Sequence, residues 1–344
     1  MRAVVIEKFG VPPTLRDVPS PACPADGVVL RVTATGVCRS DWHGWQGHDD
    51  DITLPHVPGH ELAGVVVEVG ADVRSWVVGD EVTVPFVCAC GTCAACLAGE
   101  QQVCERQRQP GFTDDGSFAE LVALHHADVN LVRLPAGMSP VTAAGLGCRF
   151  ATAYRAVTVH GRVAPGDWVA VHGCGGVGLS AVMIAVAAGA RVVAVDVAPA
   201  ARQAALDMGA SVVLDGTGDV AAQVRAVTDG GAAVSLDALG SRSTAAASIL
   251  SLRRRGRHVQ VGLLLGADAS PPLPMGRVIG WELELYGSHG MAAHEYPAML
   301  TRIASGELDP SRLVGRTIGL DDAPAALVAL GAGSAGPGMT VVVP

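Results

Sequence analysis

The sequence predicts a mixed α/β chain in which a β-rich domain is interrupted by a doubly wound domain on a parallel sheet. Three observations lead there. The 344 residues favour two domains, and 49% hydrophobic against 17% charged residues allow a large buried core. Residues 1 to about 149 carry short strand-like runs, VVLRVTATG, LAGVVVEVG and DEVTVPF, split by Gly, Pro and Asp. From about Asp167 strands alternate with helices, the pattern of βαβ units.

The elements follow in order. DWVAVHG reads as a strand and VGLSAVMIAVAAGA as a helix ending at Gly189. RVVAVDV, SVVLD, AAVSLDAL and RHVQVGLLL continue the strands. PAARQAALDMGA, DVAAQVRAVT and STAAASILSLRRRG supply the helices between them. From about His289 a helix near Tyr296 to Ser305 precedes a last strand, TVVV, with the chain's end expected to return to the first domain. Residues 168–190 are uncharged and long enough to suggest a membrane span, but their central glycines suit a buried strand-turn-helix.

Net charge is −9 without a basic block, which argues against nucleic acid or an anionic membrane as partner. The dense run Arg253, Arg254, Arg255 and Arg257 is expected at a solvated helix end. MRAVVIEKFG has no apolar signal-peptide core, so a cytoplasmic location is expected.

Four of the nine cysteines, Cys90, Cys93, Cys96 and Cys104, form a C-x2-C-x2-C-x7-C ladder. Four thiolates from one loop can converge on a structural zinc, whereas disulfides at such spacing would be strained. Cys88 beside them is expected to be a packed free thiol.

Gly173, Gly175 and Gly178 form G-x-G-x-x-G after a strand and at the start of a helix, with Gly176 and Val177 in the same turn. The first glycine permits the tight turn, the second lets pyrophosphate approach the backbone, and the third lets helix and strand pack closely. Asp196 ends the next strand, 18 residues after Gly178, where a carboxylate can grip ribose hydroxyls. It would repel a 2′-phosphate, so NAD is expected over NADP. Cys174, inside the loop, is expected to fill space.

Cys38 in GVCRSDWHGW, His60 in PGHELAG and Cys148 in GCRFATAY offer two thiolates and an imidazole. That donor set suits zinc with a fourth position left open.

With GVCRSDWH, GHE, the four-cysteine lobe, GCRFATAY and GCGGVG in this order, the chain resembles the zinc-dependent medium-chain alcohol dehydrogenases along nearly its whole length. The resemblance implies a GroES-like catalytic domain on residues 1–149 and 290–344. It implies a Rossmann coenzyme domain on 150–289, with the active site in the cleft between them. It implies Cys38, His60 and Cys148 as catalytic zinc ligands, and Glu61 as a carboxylate that approaches the metal when the fourth ligand exchanges. Asp41 would orient the ligand histidine, Ser40 and His43 would form a proton relay, and Arg39 would contact pyrophosphate. Phe86 would wall the substrate pocket and Thr152 would pack near the nicotinamide. His43, titrating near physiological pH, would suit the far end of the relay.

The implied reaction is reversible hydride transfer between a primary or secondary alcohol and NAD, with two zinc ions per chain and a homotetrameric or homodimeric assembly. A polyol, threonine or another functionalised alcohol is the rival substrate. A noncatalytic nucleotide-binding module is the rival of another class, and it would not need Cys38, His60, Cys148, Ser40 and His43 intact. Two departures bear on the nucleotide. The family's frequent lysine five residues after the ribose aspartate is Ala201 here, followed by Arg202. Met339 stands where many members carry a basic residue near the final strand.

Overall fold

The run VVLRVTATGV forms the strand Val28–Val37, buried at Leu30 and Val32 and exposed at Arg31, as a period of two requires. In the computed structural model, which describes residues 1–331 and 338–344, this strand lies inside a seven-stranded sheet. The spatial order is Val314–Gly319, Met339–Val343, Val28–Val37, Glu61–Val69, Glu81–Thr83 and Val132–Arg133, and Leu121–Leu124 also pairs with Val28–Val37. Register places Gly36 opposite Glu61 on one side and Val341 on the other. The core under this sheet includes Val28, Leu30, Leu62, Val66 and Val82.

The second unit holds a six-stranded parallel sheet. Its spatial order is Val212–Asp215, Arg191–Asp196, Trp168–His172, Ala232–Asp237, Leu252–Gln260 and Glu284–Gly287. Counted along the chain that is 3-2-1-4-5-6, the doubly wound order that opens a binding crevice at the carboxyl ends of strands one and four. Helix Gly176–Ala187 is buried continuously from Gly178 to Ala185, which explains its lack of a polar face. No helix among the described residues is long and apolar enough to cross a membrane.

One expectation needs correction. The arginine run is not a helix end: the helix stops at Leu250, and Arg253–Arg257 belong to strand Leu252–Gln260. A register break between Ala232 and Val234 of the neighbouring strand lets the run bulge out, with Arg255 at φ +58. Arg253 reaches Asp167 and Arg255 reaches Glu282, so the bulge is charge-compensated. Residues up to Ala151 group with the first unit, since the turn carrying Cys148 runs on through fully packed Phe150 and Ala151. Ser305–Leu308 group with the parallel-sheet unit, while Gly290–Ala304 and residues from Asp309 group with the first.

Two histidines are buried in the parallel sheet. His172 Nε2 lies 3.4 Å from Ser251 Oγ, and His258 Nδ1 lies 2.9 Å from Ser248 Oγ. Burial lowers both from 6.5 to about 4, with Asp237 acting in the opposite sense. Below pH 6.5 the unfolded chain gains protons that the folded chain refuses. Stability is therefore expected to fall between about pH 6.5 and pH 4, by up to roughly 3 kcal/mol per ring. Thermal midpoints from pH 7.5 to 4.5 check this, and His258→Gln should flatten the decline. An equally steep decline in that variant would remove His258 from the account.

Candidate metal centres and nucleotide site

The helix Arg39–Trp45 begins just after Cys38, and Asp41 closes its first turn by accepting the Cys38 backbone N–H at 2.8 Å. The other Asp41 oxygen accepts from Gly59 N at 3.1 Å and pairs with His60 Nδ1 at 2.8 Å. Asp41 and His60 are both buried. With Nδ1 donating to Asp41, the tautomer leaves His60 Nε2 as a free lone pair. That nitrogen is buried and makes no hydrogen bond of standard geometry.

Cys148 arrives on a π-helical turn, Leu146–Phe150. Fully buried Tyr296 donates its hydroxyl to the carbonyl of Leu146 at 3.1 Å, and Phe86 N donates to Gly147 O at 3.0 Å. Both contacts hold the turn by its backbone. The structure thus brings Cys38, His60, Glu61 and Cys148 together, one donor atom from each within 4.8 Å of the others. The Cys148 thiol donates to Cys38, which holds the Cys38 thiol well below its ordinary range. Burial opposes this, and Arg149 and His60 reinforce it. The same bond and burial push Cys148 well up. A buried imidazole nitrogen turned towards two sulfurs, one donor atom from each within 4.8 Å, fits zinc.

Glu61 stands apart in one respect. Its carboxylate is claimed by Arg149, whose Nε lies 2.9 Å from each oxygen. Burial raises the Glu61 pKa and Arg149 counters it. Sequence reading passed over Arg149, although it sits inside GCRFATAY.

The four lobe cysteines also converge. Sulfur separations are 3.4 Å for Cys93–Cys96, 3.7 Å for Cys93–Cys104 and 4.0 Å for Cys90–Cys96. Four thiolates at about 2.3 Å from one zinc would stand about 3.8 Å apart, so the lobe fits that ion. Cys90 Sγ accepts from Thr92 N, which holds its thiol down at about 5 with help from Arg106. Burial pushes Cys96 up to about 12. Asn130 braces the lobe's first turn, accepting from Ala89 N at 2.7 Å and donating to Ala89 O at 2.9 Å. Cys88 is buried outside this cluster, its thiol pushed up to about 12 by burial.

Ser40 Oγ lies 3.9 Å from Cys38 Sγ. His43 is bonded through Nδ1 to Nδ1 of His48 at 3.0 Å, a partner the sequence did not reveal. The expected pKa of His43 near physiological pH needs correction. Burial, then Arg39 and His48, bring it down to about 4, so the ring is neutral at pH 7. The Arg39 guanidinium donates to Leu330 O at 2.5 Å and lies 4.3 Å over the Trp42 ring. Phe86 lies 6.2 Å from the His60 ring, and Phe112, unnoticed in the sequence, lies at 5.1 Å.

In the parallel-sheet unit, Gly173 adopts φ +93, and a Cβ on Gly178 would lie 1.8 Å from Gly173 O. A Cβ on Gly175 would meet nothing within 4 Å, so backbone there is open to a phosphate at the start of helix Gly176–Ala187. Asp196 accepts from Cys174 N and Ala198 N, both at 2.8 Å, which sets its carboxylate beside the glycine turn. Arg202 is committed to Asp215 at 3.0 Å and to Asp196 O at 2.7 Å. Thr152 Oγ1 is buried without a hydrogen-bond partner. Met339 is a core residue packed with Ala34, Ala144 and Val341.

Residues 24–136 match the family model described as alcohol dehydrogenase GroES-like domain, and residues 176–305 match zinc-binding dehydrogenase. An alcohol dehydrogenase of Geobacillus stearothermophilus is 38% identical over 266 residues, 76% of this chain and 78% of that relative. An NAD-dependent alcohol dehydrogenase of Sulfurisphaera tokodaii is 33% identical over 334 residues, 94% of each chain. The chain belongs to the zinc-binding alcohol dehydrogenase family. Solved members share its fold. The alcohol dehydrogenase TADH from Thermus sp. ATN1 has a TM-score of 0.91 at 32% identity, covering 100% of this chain and 99% of that one. The alcohol dehydrogenase of Aeropyrum pernix has 0.90 at 32% identity, covering 100% of both.

Proposed function

We propose that this chain catalyses reversible hydride transfer between a primary or secondary alcohol and NAD, using zinc held by Cys38, His60 and Cys148. The observation that carries the reading is His60, pinned through Nδ1 by buried Asp41 while its buried Nε2, beside two cysteine sulfurs, makes no hydrogen bond of standard geometry. When bound, zinc supplies Lewis acidity that lowers the pKa of a hydroxyl. The chain's own residues do the rest. Asp41 fixes the imidazole tautomer. Ser40 Oγ takes the alcohol proton as it gives up its own towards His43, whose ring, with its proton disfavoured by burial, Arg39 and His48, hands a proton on to solvent rather than keeping it. Phe86 and Phe112 give the hydroxyl carbon apolar neighbours, which favours an uncharged substrate. The amides at Gly175, Gly176, Val177 and Gly178 bind pyrophosphate, Asp196 binds the ribose, and Thr152 packs against the nicotinamide. Arg39 reaches a phosphate by leaving the Leu330 carbonyl.

A second zinc at Cys90, Cys93, Cys96 and Cys104 holds the lobe. Six of the nine cysteines fall in the two metal donor sets, which suits a reducing cytoplasm. A homotetramer or homodimer completes the reading.

The test is NADH formation from NAD by zinc-loaded protein across aliphatic, aromatic and polyol alcohols. Turnover of simple or aromatic alcohols is expected. Silence across the panel, with zinc and NAD shown to bind, would overturn the reading. Coenzyme choice gives a separate check. Asp196→Gly removes the ribose acceptor and the charge opposing a 2′-phosphate, so the ratio of kcat/KM for NAD over NADP should fall about 10- to 100-fold. An unchanged ratio would show that Asp196 does not read the ribose.

A further inference from the structure

Three segments distant in sequence carry the candidate metal ligands, and one side chain fastens all three. Arg149 directly follows Cys148. Its backbone N–H donates to Glu61 Oε1 at 3.0 Å, its Nε lies 2.9 Å from both Glu61 oxygens, and its Nη2 reaches Oε2. Glu61 directly follows His60. The same Nη2 donates at 3.1 Å to the carbonyl of Val37, which directly precedes Cys38. The Glu61 side chain is 0% exposed and that of Arg149 12%.

The sheet is built around this pair. Gly36 lies opposite Glu61, and a Cβ there would stand 2.4 Å from Glu61 Oε2 and 2.9 Å from Arg149 Nη2. Only glycine leaves room for the carboxylate and the guanidinium together. A buried ion pair gives little net stability, because desolvation offsets the attraction. A guanidinium fork does give fixed geometry, since its donors are rigid and match a carboxylate in two places. Here the fixed points are the chain neighbours of each ligand.

We propose that Arg149 is a positioning residue that staples the Cys38, His60 and Cys148 segments into metal-ready geometry and keeps Glu61 out of the metal's coordination. The proposal rests on the reading of those three residues as metal ligands. Each Glu61 oxygen already accepts two hydrogen bonds from Arg149. To bind the metal, the carboxylate would have to give those up while leaving a buried guanidinium unpaired. The family resemblance alone implies the opposite, a Glu61 that approaches the metal.

The test uses full-length protein loaded with zinc or cobalt(II), following metal release to a chelator and the cobalt ligand-field spectrum. Arg149→Met should release the catalytic-site metal about 10- to 100-fold faster, the usual effect of losing an outer-shell partner. Its cobalt spectrum should shift as Glu61, freed from the fork, joins the coordination. Glu61→Gln/Arg149→Met leaves no unpaired buried charge and keeps the experiment open if the single variant fails to fold. The double variant should also release metal faster, with the wild-type cobalt spectrum retained. Wild-type release rates in either folded variant would overturn the staple. A wild-type chain that binds one metal, unaffected by Cys148→Ser, would instead overturn the ligand assignment beneath it.

Discussion

Cys148→Ser is expected to lower alcohol turnover by at least about 10³-fold while the fold is kept and the thermal midpoint falls far less than in a lobe variant. Charge stabilisation by a catalytic metal is worth several kcal/mol, and each 1.36 kcal/mol is about tenfold in rate. The smaller effect on stability follows from how the turn is held. Leu146–Phe150 is tied by the Tyr296 hydroxyl, by Phe86 N and by the bond from Arg149 N to Glu61, none of which uses the sulfur. The hydroxyl is smaller than the thiol, so no overpacking arises. Measured kcat, zinc content and melting curves check the result, with zinc falling from about two to about one per chain. Near-normal turnover would remove Cys148 from the metal set. A melting point lowered as far as activity would make the loss structural.

Cys93→Ser is expected to have the opposite signature: a midpoint lower by about 10 °C or more, with aggregation on heating. The lobe has little else to hold it. Its buried cluster is Ala89 and the four cysteines, with Ala95 and Val129 packed against it. Its helix, Ala94–Leu97, is a single turn of four residues. A structural zinc site contributes its binding energy directly to folding, so losing several kcal/mol here costs several degrees for each. Cys93 Sγ faces Cys96 at 3.4 Å and Cys104 at 3.7 Å, so serine removes a central ligand rather than a peripheral one. An unchanged melting curve would show that the lobe holds its shape without metal. The contrast between the two variants separates a site that performs chemistry from one that holds structure.

Local motifs were legible because their chemistry depends on spacing along one loop. The cysteine ladder needs only its own turns to converge, and the glycine turn with Asp196 needs one strand, one helix and the next strand. The Cys38, His60 and Cys148 set was legible only through the order of five motifs, since nothing local says that three distant segments meet. Residues that act on these groups from other parts of the chain were not legible. Arg149 pairs with Glu61 because strand register puts Gly36 opposite it. Tyr296 reaches the Cys148 turn from a segment about 150 residues away in sequence. Arg106 touches Cys90 by the path of the loop.

Sequence by itself determined the two-unit α/β design, the four-cysteine ladder and the nucleotide turn, because periodicity and local spacing are properties of the chain. Tertiary structure decided what each charged group does. The arginine run became a strand bulge because a neighbouring register breaks. His43 became a neutral ring near a pKa of 4 because burial, Arg39 and His48 all disfavour its proton. Glu61 became the anchor of a buried guanidinium rather than a free carboxylate. Charge state and pairing depend on solvent exclusion and on neighbours brought in through space, and neither is written in the order of residues.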